Sequence, residues 1–379
     1  MPIQKITIEE FLQLAKQHPV LDVRSPGEYT HAHMPGAVSL PLFTDEERKV
    51  VGTAYKQQSK QEAIKIGLDY FGLKMKTMVE MVESIIGNMQ LSINKKRKAT
   101  KQEDTLPVAN CLLVHCWRGG MRSAGVAWLL DLYGFKVYTL AGGYKAYRKW
   151  VQAQFEKEYP FKIIGGYTGS GKTLVLSELS KQNKATIDLE ALANHKGSAF
   201  GALGEAPQPK QEMFENLLAE KLSEISEYLK ASPSGGGLEG AYIEDESQRI
   251  GNLQIPMPLW YTMRKSPVYF LDIPFEERLN YLTEEYGKFE KEKLVNAIIR
   301  IQKRLGGLDT KNAVNYLLEN NHKECFRILL TYYDKYYLKG LQNRENLSSL
   351  LNKIPCSGVD TSVNTQNLLS CNTVTVSNL

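Results

Sequence analysis

Leu112-Leu113-Val114-His115-Cys116-Trp117-Arg118-Gly119-Gly120-Met121-Arg122-Ser123 is the stretch whose reading decides the fold of the first half. A short apolar run ends in a cysteine, two glycines occupy the loop, and an arginine opens the next helical segment. Glycines let successive backbone N–H groups converge, and a helix N-terminus adds partial positive charge. Arg118 and Arg122 add full charges nearby. Together these favour the thiolate of Cys116, which is the nucleophilic form. A buried structural cysteine is the plainer reading, but it leaves two arginines and two glycines within six positions unexplained. Cys116 is therefore the candidate catalytic residue, with Trp117, Arg118, Gly119, Gly120, Met121 and Arg122 as its anion-binding loop.

Working outward, residues 19–24 read as a buried strand with polar residues at its end, and Val38 lies in another short strand. Residues 110–116 form the strand feeding the loop, and 122–133 the helix after it. Val137-Tyr138-Thr139-Leu140 is a further strand, ended by Gly142-Gly143. Helices are expected at 7–15, capped by Thr7, and after Ser25-Pro26. Alternating strands and helices imply an α/β domain with a parallel sheet over residues 1–150. It carries a helical and basic insertion at about 44–106. Within it, residues 94–104 are rich in Lys, Arg, Gln and Thr, either a solvated loop or an RNA-contacting arm.

A second parallel-sheet domain is expected over 151–347. Phe161-Lys162-Ile163-Ile164-Gly165 is a strand, followed by Gly166-Tyr167-Thr168-Gly169-Ser170-Gly171-Lys172-Thr173. That run fits G-x-x-x-x-G-K-[ST] between a strand and a helix, the context a P-loop requires. Gly166, Thr168, Gly169, Ser170, Gly171, Lys172 and Thr173 are the candidate diphosphate- or nucleotide-binding residues. Backbone amides would wrap a phosphate, Lys172 would neutralise its outer oxygens, and Thr173 would hold magnesium. Asp188, Glu244 and Asp245 stand at later strand ends as candidate magnesium or polar partners, and a solvated strand exit is the alternative reading of 244–246. A fourth strand spans 268–273, and the helix after it carries Arg278. Residues 291–340 are helical, with Arg300, Lys303 and Arg304 on a basic face. Residues 232–237 read as a flexible turn, and the Asn-, Ser- and Thr-rich stretch 348–379 as a disordered tail.

Composition agrees with a globular protein: 379 residues, 42% hydrophobic and 23% charged. No apolar run approaches membrane-spanning length, and the first residues lack a secretory pattern. The five cysteines show no paired spacing for zinc or a disulfide framework. A cytoplasmic setting is expected, with no certain metal, no tightly bound cofactor and no membrane partner. The net charge of +5 hints at a polyanionic partner.

Leu21-Asp22-Val23-Arg24, Glu28-Tyr29, His33-Met34-Pro35-Gly36-Ala37, the Cys116 loop and Ala141-Gly142-Gly143-Tyr144 resemble the rhodanese superfamily, in which the loop cysteine carries sulfur or selenium. His115-Cys116 through Arg122-Ser123 also fits the H-C-x-x-G-x-x-R-[ST] pattern of cysteine phosphatases. The residues at 21–37 and the downstream Gly-Gly-Tyr favour the rhodanese reading. Joined to a P-loop domain, the whole resembles the bacterial tRNA 2-selenouridine synthases over roughly residues 5–345. Further matching runs are Val51 to Gln57, Asn194-His195-Lys196-Gly197-Ser198-Ala199-Phe200-Gly201, and Glu244-Asp245-Glu246-Ser247-Gln248-Arg249-Ile250-Gly251. The resemblance implies a tRNA substrate of the Lys, Glu and Gln type, whose wobble 2-thiouridine is geranylated by geranyl diphosphate and then selenated by selenophosphate. ATP is an alternative occupant of the P-loop. A rhodanese-type sulfurtransferase fused to an ATP-dependent kinase-like domain is the rival enzyme, and a P-loop sensor with a rhodanese docking module is the non-catalytic rival. The sequence leaves the oligomeric state open.

Overall fold

Every strand paired in the first half is parallel to its neighbours, as short apolar runs joined by helical crossovers require. The computed structural model describes residues 3–100, 111–231 and 240–374, and the chain divides into two units, Met1–Ala153 and Gln154–Leu379.

The first unit opens with β1 (Gln4–Ile6), α1 (Ile8–Ala15), β2 (Val20–Asp22), α2 (Pro26–His31) and β3 (Val38–Ser39). Thr7 and Glu10 close a capping box at the start of α1, and Phe11 is wholly buried from its inner face. Two long helices follow, α3 (Asp45–Gln57) and α4 (Lys60–Thr100). Then come β4 (Cys111–His115), α5 (Met121–Tyr133), β5 (Lys136–Leu140) and α6 (Gly143–Phe155). The sheet order is β1-β5-β4-β2-β3, which puts β4 in the centre. All five residues of β4 are buried, the mark of a strand covered on both faces. Its side chains join Leu21, Val23, Leu40, Phe71 and Val126 in one core, so the loop after β4 grows from the most rigid part of the sheet.

Two sequence expectations change here. Residues 94–100 belong to α4 rather than to a loop, since Lys, Arg and Ala are good helix formers even without an apolar stripe. Residues 101–104 of that basic stretch lie outside the described residues, as does the turn expected at 232–237. The three-residue β1, with no fully buried position, gives no apolar signal and escapes a reading by pattern.

The second unit contains β6 (Phe161–Gly165), α7 (Lys172–Lys181), β7 (Thr186–Ile187), α8 (Leu189–Ala193), α9 (Gln211–Ala231) and β8 (Ala241–Glu244). An antiparallel pair, β9 (Arg249–Ile250) and β10 (Leu253–Gln254), precedes α10 (Met257–Lys265) and β11 (Val268–Asp272). A helical region follows, α11 (Phe275–Tyr286), α12 (Lys291–Leu305), α13 (Gly307–Leu318), α14 (His322–Gln342) and α15 (Leu347–Leu350), and then β12 (Leu351–Pro355) and α16 (Thr361–Val374). The parallel order is β12-β11-β6-β8-β7. Strand β6, which feeds the P-loop, is again central.

The disordered tail expected from residue 348 is corrected through Val374. Strand β12 pairs with β11 from Val268↔Leu351 to Asp272↔Pro355, and α16 follows it. Ile354, Cys356 and Leu368 are buried in the core beside Ile164 and Leu271. Polar residues concealed this order because they are used internally: the Thr365 hydroxyl donates to the Thr361 carbonyl, and the Asn364 amide to Gly358. The second unit therefore runs well past residue 347.

Candidate functional site

Two sites emerge, one in each unit. In the first, Cys116 follows the buried end of β4 and is itself 3% exposed. Its Sγ accepts the Gly120 N–H at 3.4 Å and lies 3.2 Å from Ser123 Oγ. Burial on its own raises the thiol pKa; the Ser123 hydroxyl and the amides of Ser123, Gly120 and Arg118 outweigh it and hold the thiol below its ordinary value. The turn needs its glycines. Gly119 has φ +63°, and an added Cβ there would lie 2.5 Å from the Leu140 carbonyl oxygen. Gly143 approaches from the other side, and its Tyr144 neighbour donates a backbone N–H to the Cys116 carbonyl at 2.8 Å. The Gly119-Gly120 and Gly142-Gly143 pairs read separately in the sequence are thus two halves of one turn.

The expected arginines behave differently from the sequence reading. Arg118 is exposed, and Arg122 donates to Glu28 Oε2 at 2.8 Å. Hydrogen bonds, not guanidinium charge, are what lower the Cys116 pKa. Trp117 and Met121 are exposed, with the Trp117 ring 5.6 Å from that of Tyr144. Beneath the loop, Arg24 is buried against Asp22 at 2.6 Å and lies 3.8 Å over the Tyr144 ring. His115 is fully buried, and burial keeps its imidazole below its ordinary pKa and so neutral. Sequence reasoning passed over Ser123 and Glu28 as site residues. Ser25-x-x-Glu28 is a capping box, and that spacing was the available signal.

The second site is the loop from Gly166 to Thr173. Gly166, Gly169 and Gly171 all take positive φ, at +152°, +80° and +69°, conformations that glycine adopts at least cost. Ser170 is buried, and Gly166 leaves room for its hydroxyl, which a Cβ would meet at 2.4 Å. Lys172 Nζ donates to the Gly166 carbonyl at 3.1 Å. Thr173 Oγ1 lies 2.9 Å from Glu244 Oε1 and 3.1 Å from Glu190 Oε2.

Of the three acids singled out, Glu244 alone meets Thr173. Asp188 caps α8 through Ala191 N–H at 2.7 Å. Asp245 turns away: it pairs with Arg344 and accepts the Tyr337 hydroxyl at 2.7 Å. Alternation along an extended strand end sends neighbouring side chains to opposite faces, so Glu244 and Glu246 face the loop's side and Asp245 does not. Burial, and then Glu190, push Glu246 up to about 8, and Glu244 is raised as well. Glu190, missed in the sequence, sits two residues beyond the Asp188 that drew attention.

Oxygen donors of this kind suit magnesium. Among the described residues no three or more His, Cys, Asp or Glu side chains assemble as a metal site. Thr173 and Glu244 are the residues that would hold magnesium.

Helix α14 braces this loop. Tyr337 Oη accepts the Gly166 N–H at 3.0 Å. Asp334 takes two bonds from Arg278, at 2.8 and 2.7 Å, and Arg278 donates onward to the Thr168 carbonyl at 3.1 Å. Tyr333 Oη accepts Ala199 N–H at 3.0 Å from the 194–201 loop. A Cβ on Gly197 of that loop would lie 2.7 Å from Glu246 and 2.9 Å from Glu190, so the loop closes over the acidic wall.

Comparison with known proteins matches both units. The family profile described as the tRNA 2-selenouridine synthase AAA domain matches residues 159–354, and that of the rhodanese-like domain matches residues 7–149. The chain is 30% identical to the tRNA 2-selenouridine synthase of Nitrosomonas europaea, over 86% of this chain and 90% of that one. It is 33% identical to that of a Sulfurovum species, over 88% and 91%. It is 31% identical to that of Bdellovibrio bacteriovorus, over 91% and 94%. No helix among the described residues is long and apolar enough to cross a membrane.

Proposed function

This chain belongs to the tRNA 2-selenouridine synthase family, and from that premise we propose that it modifies a wobble 2-thiouridine, in tRNAs of the Lys, Glu and Gln type, in two steps. In the first, the uridine sulfur attacks carbon 1 of geranyl diphosphate, the C–O bond breaks, and pyrophosphate leaves. Lys172 and the amides of the 166–173 loop stabilise that leaving charge, and Thr173 with Glu244 would hold a magnesium ion that shares it. In the second, the Cys116 thiolate attacks the ring carbon that bears the S-geranyl group and geranylthiol leaves. The selenium of selenophosphate then displaces Cys116 from that carbon, and water cleaves the Se–P bond to release phosphate. Alkylation makes the sulfur a better leaving group from the carbon that Cys116 attacks.

One observation carries the reading. The buried Cys116 thiol is activated by donated hydrogen bonds rather than by a base, in a chain that also holds a glycine-rich loop of P-loop pattern with Gly166, Gly169 and Gly171 at positive φ. A thiolate steadied by donated hydrogen bonds suits a nucleophile that must also leave, because the same donors face its sulfur before attack and after departure.

Nucleoside mass spectrometry of modified tRNA tests it. Cys116→Ser should yield no 2-selenouridine and should accumulate S-geranyl-2-thiouridine. Lys172→Ala should fail in the first step yet selenate RNA that is already geranylated. Charge-assisted contacts of this kind are worth about 1.5–3 kcal/mol, roughly ten- to a hundredfold in rate. Equal loss of both steps in Lys172→Ala, or a demand for ATP hydrolysis in the first, would sink the assignment of the P-loop to geranyl diphosphate.

A further inference from the structure

Arg300, Lys303 and Arg304 share one face of α12, at i, i+3 and i+4, and all three are exposed. Tyr332, Lys335, Tyr336 and Lys339 share a face of α14 with the same spacing. The two helices pack into one core, with Ile301 of α12 and Tyr332 of α14 against it, and the Arg304 guanidinium lies beside Tyr332. Tyr332 and Tyr336 lie with ring centroids 4.7 Å apart, and Tyr336 is 45% exposed.

Nearby cations on the same helices are neutralised: Lys293 pairs with Glu290 at 3.0 Å and Arg327 with Glu324 at 3.1 Å. Among the described residues, none of Arg300, Lys303, Arg304, Lys335 and Lys339 has a carboxylate partner. Five unneutralised cations beside the exposed Tyr336, which the half-buried Tyr332 supports from below, present charge for a phosphate backbone and a ring for an unstacked base.

The patch also lies on the helix that braces the P-loop, since α14 carries Tyr337, whose hydroxyl accepts the Gly166 N–H at 3.0 Å, and Tyr333, which accepts Ala199 N–H from the 194–201 loop. That loop leads to Gly197, packed against Glu190 and Glu246, and Glu190 touches Thr173 at 3.1 Å.

We propose that this α12–α14 face binds single-stranded RNA, seating the loop nucleotides that flank the modified uridine so that the uridine reaches the diphosphate site. Arg300, Lys303, Arg304, Lys335 and Lys339 contact phosphates, and Tyr336 stacks on a splayed base. The assignment rests on the tRNA reading above and adds the surface that carries it.

The test uses the full chain and a fluorescein-labelled anticodon stem-loop RNA with 2-thiouridine at the wobble position, followed by anisotropy across a potassium chloride series. The double variant Arg300→Ala/Lys303→Ala should bind at least tenfold more weakly at low salt. Its slope of log affinity against log salt should be shallower by about 1.4, since each lost phosphate contact on a single strand removes about 0.7. Lys335→Ala/Lys339→Ala should behave alike and guards against a local fault in α12. Tyr336→Ala should lose about tenfold with an unchanged slope, the signature of stacking without charge. Wild-type affinity and slope in both double variants would overturn the surface while leaving the tRNA reading intact. A wild-type chain that binds no RNA would overturn the tRNA reading and the surface with it.

Discussion

Arg122 donates to Glu28 across 2.8 Å, so the guanidinium at the start of α5, just after the Cys116 turn, is already held by a carboxylate from α2. The same Glu28 oxygen accepts the Ser25 N–H at 3.1 Å and pairs with Arg48 of α3 at 3.2 Å. One oxygen thus ties α2, α3 and α5 together around the loop.

Glu28→Gln keeps an acceptor for the cap but removes the charge from all of these contacts, and should cost about 1–3 kcal/mol of stability through the weakened charge-assisted bonds. Burial raises the Glu28 pKa, but Arg122, Ser25 and Arg48 together hold it below its ordinary value. Its stabilising share is therefore complete above the unfolded carboxylate pKa and is lost as pH falls through the lower folded value. Denaturant midpoints should separate variant from wild type at pH 7 and converge in acid. A gap that persists unchanged to low pH would show that Glu28 acts by packing.

Gly143→Ala tests the turn itself. Gly143 has φ +59°, and its added Cβ would lie 2.3 Å from the Cys116 carbonyl oxygen and 2.4 Å from the Gly119 nitrogen. Backbone atoms on both sides leave nothing flexible to yield. The variant should lose selenium transfer even where it folds, and its Cys116 should alkylate with iodoacetamide at a pH dependence shifted upward. An unchanged alkylation profile would show that the loop amides do not set the thiol.

The P-loop and the cysteine turn were legible because strand, glycines and functional side chain lie within a dozen consecutive positions. What escaped had its cause elsewhere in the chain. Tyr337 meets Gly166 from 171 positions away, and nothing local in Tyr336-Tyr337 distinguishes one ring from the other. Asp245, a candidate magnesium or polar partner by its place in Glu244-Asp245-Glu246, takes polar partners that such a local reading cannot reveal, Tyr337 and Arg344. Strand β12 was hidden by its surroundings: Leu350-Leu351 and Ile354 are apolar, but the polar residues after them dilute the pattern until β11 is present to pair with.

Tyr337→Phe isolates the brace on the P-loop. The ring and its packing on Tyr167 and Phe270 remain, while the Gly166 amide and Asp245 lose their shared hydroxyl. Calorimetric titration with inorganic pyrophosphate should show affinity about five- to thirtyfold weaker, the range for one or two lost hydrogen bonds of about 1 kcal/mol each. Selenation of pre-geranylated RNA should stay normal. A lower thermal midpoint with unaltered pyrophosphate affinity would reduce Tyr337 to a packing role.

Glu246 gives the clearest pH signature. Burial, followed by the charge of Glu190, raises its pKa to about 8, so the folded chain keeps a proton that the unfolded chain releases near pH 4.5. For a carboxyl raised in this way the sign is opposite to that of Glu28. Stability is greatest below the unfolded value and falls as pH climbs towards the folded one, because ionising the buried group costs more in the native state. The ligand-free wild type should therefore lose thermal stability between roughly pH 5 and pH 8. Glu246→Gln removes the ionisation and should flatten that decline, so at pH 8.5 its midpoint should lie above that of wild type. Each 1 kcal/mol of relief should appear as roughly 2–4 °C in a domain of this size. Scanning calorimetry at pH 5.5, 7 and 8.5 makes the comparison. Parallel declines in both proteins would mean that Glu246 ionises freely and that the acidic wall beside Thr173 is solvated.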